Sequence, residues 1–131
     1  MGITIEWIDE QRLILCHRYS DPWTWEEHSL GVQTGIQRLL QRVPQRADVI
    51  FDFSRSKNIP RPDMMPFLRS GANNMTPNLG LLVICGGSRF LNTMIHTFKR
   101  LNPTRTERWQ LIATFEEALA LIEHDRATKG E

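Results

Sequence analysis

Two short apolar runs, ADVIFDF over residues 47–53 and LGLLVIC over 79–85, limit the fold of this chain more than any other feature. A strand with one face in water alternates apolar and polar residues. A continuous β-rich run bounded by turn residues is covered on both faces, and in small proteins that cover comes from helices on a largely parallel sheet. The rest of the sequence has to supply those helices.

It does so with recognisable start and stop signals. Thr24 and Glu27 form a capping box, and Trp25, Val32, Ile36, Leu39, Leu40 and Val43 recur at helical spacing up to Pro44. Met64, Phe67, Leu68, Gly71, Ala72 and Met75 make a second stripe. It has Asp63 as its expected cap and Pro66 in the first turn, the place where a helix tolerates proline. Ser88 is placed to cap a third helix with Phe90, Leu91, Met94, Ile95, Phe98 and Leu101 on one face, stopped by Asn102-Pro103. Thr114 and Glu117 repeat the capping box before Phe115, Ala118, Leu119 and Ile122, and the tail after Asp125 is expected to fray.

Ahead of the first helix, Ile3, Ile5 and Trp7 alternate with polar residues. Asp9-Glu10-Gln11 reads as a turn, and Leu13 to Tyr19 as a returning strand stopped at Ser20-Asp21-Pro22. Residues 109–113 give a last strand. The resulting order, β-β-α-β-α-β-α-β-α, predicts a single α/β domain over residues 1–125. Its mixed, mostly parallel five-stranded sheet is flanked by four helices, with one antiparallel strand at an edge and residues 126–131 as a tail.

Composition narrows function mainly by exclusion. A chain of 131 residues can bury a core without staples, and a formal net charge of +1 sets up no field to draw nucleic acid or an acidic membrane. Cys16 and Cys85 each sit inside an apolar strand, which suits buried free thiols and a reducing compartment. The chain starts on a strand pattern without a secretory signal and carries no apolar run of membrane-spanning length, so a cytoplasmic protein without stable membrane insertion is expected. His17, His28, His96 and His124 fall on separate elements without metal-ligand spacing, and no nucleophile elbow, phosphate loop or zinc-protease helix occurs. Neither an enzyme nor a cofactor is expected.

Three features stand out as candidate sites. Gly86, Gly87, Ser88 and Arg89 lie where a parallel strand gives way to a helix, so free amides there could hold an anion. The plainer reading is a tight turn plus a cap. Arg55, Lys57 and Arg61 on the long loop could join them in an anion-friendly rim, against ordinary surface charge. Trp23 and Trp25 stand two positions apart and are not expected to enter one core together. Either one is a surface contact anchor or Trp23 staples the first helical turn. Asp52 closes a strand as the aspartate of a phosphoacceptor receiver domain does. The acidic pair and lysine that such a domain needs are missing, and hydrogen bonding to its own loop is expected instead.

The element order, the entry Trp23-Thr24-Trp25-Glu26-Glu27 and the run Val49-Ile50-Phe51-Asp52 before a loop and short helix resemble the STAS-like fold of anti-sigma-factor antagonists, in its STAS/SEC14-like group. The resemblance implies a non-catalytic regulatory domain that binds a protein partner or itself as a homodimer. The surface expected for this spans the 54–67 segment, with Met64, Met65 and Phe67 as adaptable contacts, and the third helix. The family's phosphorylated serine run is replaced here by Pro60-Arg61-Pro62-Asp63, and Ser54 and Ser56 come too early to stand for it. The alternative drawn from the SEC14-like side is a carrier or sensor of a small apolar or anionic ligand, held at the C-terminal ends of the parallel strands.

Overall fold

The computed structural model describes residues 2–8, 13–39, 42–60 and 64–129, with the backbone alone for 37–39. Its elements are β1 (Ile3–Trp7), β2 (Ile14–Ser20), α1 (Trp25–Val32), a π-helical segment (Gln33–Leu39), β3 (Ala47–Arg55), α2 (Met65–Asn73), β4 (Leu79–Cys85), α3 (Arg89–Leu101), β5 (Trp109–Ile112) and α4 (Phe115–Thr128). The expected turn at Asp9-Glu10-Gln11, the Asp63 cap, Arg61 and Leu40 lie outside the described residues.

The five strands form one sheet in the order β1-β2-β3-β4-β5, antiparallel between β1 and β2 and parallel from β2 to β5. This is the mixed α/β architecture expected from the sequence. When consecutive parallel strands are also neighbours in the sheet, right-handed crossovers carry each connecting helix over the same face. The larger core accordingly joins one face of the sheet (Leu15, Tyr19, Val49, Phe51, Phe53, Leu82, Ile84, Trp109) to residues of α1, α2 and α3. Only α4, which follows the last strand, is free to cover the opposite face, where Ala118 and Ile122 pack on Cys16, Ile50, Leu81, Val83 and Cys85.

Several local readings change. The first helix is not one continuous α-helix to Val43: it turns π-helical after Val32. The cause lies beneath it. His17 on β2 is fully buried and its Nε2 donates to the carbonyl of Gly31 (3.1 Å), while a Cβ on Gly35 would stand 2.5 Å from the same ring. A side chain that takes a carbonyl from the helical ladder favours local widening. In α3 the sheet takes Leu91, Ile95 and Phe98, leaving Phe90 and Leu101, expected inside, 58% and 73% exposed. Strand β3 runs on past Asp52 to Arg55. The C-terminal helix extends beyond Asp125. It continues to Thr128 because Arg126 reaches the fully buried Asp48, with Nε 2.7 Å from Oδ2, and also donates to the carbonyl of Leu13 (2.6 Å).

Candidate functional site

Thr24 caps α1 from an extended conformation (φ −123°, ψ 160°), its hydroxyl accepting from the Glu27 amide at 3.0 Å. Trp23 therefore precedes the helix and does not follow its angular period. This overturns the expectation that the two tryptophans do not enter one core together: Trp23 and Trp25 are both buried in the same core and meet edge to face, with ring centroids 4.9 Å apart. Each indole also holds the long loop. Trp23 Nε1 donates to Ser56 Oγ (2.7 Å) and Trp25 Nε1 to the carbonyl of Pro60 (2.7 Å). The exposed Asp21 fixes the loop from outside, its carboxylate accepting from the amides of Lys57 (2.7 Å) and Asn58 (3.2 Å) and from Ser56 Oγ (3.1 Å). The Lys57 amide, ahead of the other donors, holds its pKa below the usual carboxylate value.

Of the other expected contact residues, Met64 is buried, Met65 and Phe67 are half-buried against the larger core, and Arg55 and Lys57 are exposed. The Gly86–Arg89 segment has the geometry of a tight turn and a helix cap. Gly86 adopts φ +70°, a Cβ there would stand 2.8 Å from the Ser54 backbone, and the Ser88 hydroxyl accepts from the Leu91 amide at 3.1 Å. Asp52 binds its own loop as expected, its Oδ1 accepting from Ser54 N (3.0 Å) and Oγ (2.6 Å), and it also pairs with Arg18 at 3.4 Å.

Among the described residues, Trp25 and Phe67 of the sequence-selected set border unassigned space under α1 and α2. An apolar cavity of about 50 Å³ lies on the sheet face there, walled by Phe51, Phe53, Leu82 and Ile84 below, Ile95 and Leu91 of α3 at the side, and Trp25, Val32, Phe67 and Leu68 above. Phe67 stacks on Trp25 (4.9 Å, interplanar angle 12°) and so forms part of the roof. A polar cleft of about 270 Å³ lies between α1 and α2, lined by Ser29, Gln33, Ser70 and Asn74, and it shares His28, Val32, Phe67 and Gly71 with the cavity. Those four residues form the waist between chamber and surface. A Cβ added to Gly71 would meet nothing within 4 Å, so open space borders this glycine.

His28 is the polar group at this waist. Its Nδ1 lies 2.6 Å from the hydroxyl of Tyr19, which is 1% exposed. Burial, assisted by the neighbouring His17, lowers the His28 pKa to about 3, and burial raises that of Tyr19 well above its ordinary value, so both are neutral near pH 7. Residue spacing could not reveal this pair, because the four histidines look isolated along the chain. The available signal was a combination: inward-facing His17 and Tyr19 on one strand, small Gly31 and Gly35 above them, and a glycine interrupting the apolar stripe of α2. No family model, no curated protein and no solved structure matches the chain, so the chemistry of these side chains is the ground on which a function is argued.

Proposed function

We propose that this chain is a non-catalytic, STAS-like binding domain of the cytoplasm whose ligand is a small, largely apolar molecule held beneath α1 and α2. The observation that carries this reading is an apolar cavity whose lining shares His28, Val32, Phe67 and Gly71 with a polar cleft. Packed interiors contain few voids larger than a water molecule, and an apolar void tends to stay dry and accept apolar guests. The STAS-like resemblance agrees in its implied element order. The ligand's place is put on the sheet face rather than at the strand ends around Gly86, where the Ser88 hydroxyl already accepts from the Leu91 amide.

A second reading, association with a protein partner or a second copy, draws on Phe90 and Leu101. These large apolar side chains lie exposed on α3 eleven residues apart, three helical turns and so on one side. Native mass spectrometry of protein purified gently from its own source separates the two. A retained molecule of defined mass, whose removal lowers the melting temperature as mass action requires, supports the ligand reading. A bare dimer that melts unchanged after extraction with organic solvent favours association.

A further inference from the structure

Taking the ligand reading as its basis, we infer that the site selects an uncharged molecule joining an apolar body to one hydrogen-bond acceptor oxygen, and that His28 Nε2–H is the donor that receives it. The tautomer follows from the hydrogen bonds. Among the described residues, the only partner of the Tyr19 hydroxyl is His28 Nδ1, at 2.6 Å. A buried hydroxyl places its proton on an available acceptor, so Nδ1 accepts and the proton of the neutral ring sits on Nε2. No described residue accepts from Nε2. His17, the nearest other imidazole, spends its own Nε2 on the carbonyl of Gly31.

His28 lines both the apolar chamber and the polar cleft, which puts this donor where a guest passes from one to the other. His28 is only half-buried, so its Nε2–H is open to an acceptor oxygen that enters from the cleft. The cleft lining offers no formal charge to a carboxylate, phosphate or ammonium: Ser29, Gln33, Ser70 and Asn74 are neutral, and the Asn74 amide nitrogen already donates to the carbonyl of Ser70 at 2.7 Å. Placing a charged head group there would strip its hydration without providing a counter-charge. A ketone, aldehyde or ester oxygen fits these conditions. The chamber volume limits the buried portion to a few carbon atoms.

The test uses size-matched probes on the full chain: 2-hexanone, hexane and hexanoate, followed by chemical-shift perturbation and by the side-chain ¹⁵N resonances of His28. The expected result is that 2-hexanone binds about tenfold more tightly than hexane, the scale of one net hydrogen bond, and more tightly than hexanoate, while moving the Nε2 signal and leaving Nδ1 unprotonated. His28→Phe should reduce 2-hexanone to the level of hexane while hexane still binds. Should that variant not fold, the wild-type Nε2 signal and probe order decide the matter. Gly71→Leu, whose side chain enters open space, should close the passage to all three probes. Equal affinity for 2-hexanone and hexane, or preference for hexanoate, overturns the donor inference and leaves the cavity reading standing. Failure of every probe to perturb residues around the chamber removes both.

Discussion

At the scale of single residues, the buried imidazoles link the site to stability. Burial lowers the pKa of His17 to about 4 and, together with its neighbour, that of His28 to about 3, whereas an unfolded chain protonates histidine near pH 6.5. Between those values the unfolded state binds more protons than the folded one. Stability is therefore full above about pH 6.5 and falls as the pH drops. From pH 7 to 5, where most carboxylates keep their charge, each histidine should remove about 2 kcal/mol, at 1.36 kcal/mol per pH unit. Urea unfolding at intervals across this range checks it. His28→Gln should halve the slope, and a flat profile would mean that these rings are hydrated in solution. The sequence named all four histidines and ruled out metal spacing, but the Tyr19–His28 contact depends on a helix crossing a strand, which no spacing rule contains. Trp23 and Trp25 failed for the opposite reason: a helical rule was applied across a cap, where the backbone is still extended.

At the scale of elements, helix caps were legible in the sequence and side-chain contacts between distant segments were not. The Thr24, Ser88 and Thr114 caps of α1, α3 and α4 are visible because each hydroxyl accepts from an amide three residues on, whereas the Glu27 carboxylate, expected to close the box on Thr24, accepts instead from the distant Gly2 amide at 3.1 Å. The end of α4 depends on a partner 78 residues away. Asp48, fully buried at the start of β3, accepts from the Leu81 amide (2.6 Å), from Arg46 Nε (3.1 Å) and from Arg126 Nε (2.7 Å), while Arg46 also pairs with Asp125 at 2.7 Å. This cluster joins β3, β4 and α4. Asp48→Asn leaves two guanidinium groups facing a neutral amide and should cost about 3–5 kcal/mol, the range for breaking a buried pair by removing one charge. Ending the chain after Asp125 should cost a comparable amount, because Arg126 is lost. Chemical denaturation of both variants measures this. Wild-type stability in the truncated chain would mean that the last turn frays after all.

At the scale of the whole molecule, sequential strand order divides the sheet into two unlike faces. Three helices and the π segment share one face, and the cavity lies among them, where several separately anchored elements meet over one surface. Among the described residues, the other face is covered by α4 alone, over an apolar patch that includes Cys16 and Cys85. The alternation of buried runs with caps made the layers legible, but not their unequal loading. That follows only once the strands are known to pair in sequence order, which short apolar runs do not encode. The two thiols make the difference measurable. Both are buried and free, and burial, the largest influence on each, pushes their pKa values up to about 12, so raising the pH to 9 should produce little thiolate in the folded state. Labelling with an aromatic disulfide reagent must then wait for α4 to lift or for the domain to unfold. Since the Asp48–Arg126 pair ties α4 to the strand beneath it, labelling should follow global unfolding: its rate should rise with urea in parallel with the unfolding equilibrium, and Asp48→Asn should accelerate both together. A faster rate that ignores low urea would instead identify α4 as a separate opening unit, leaving the three-helix face and its cavity intact while the thiols react.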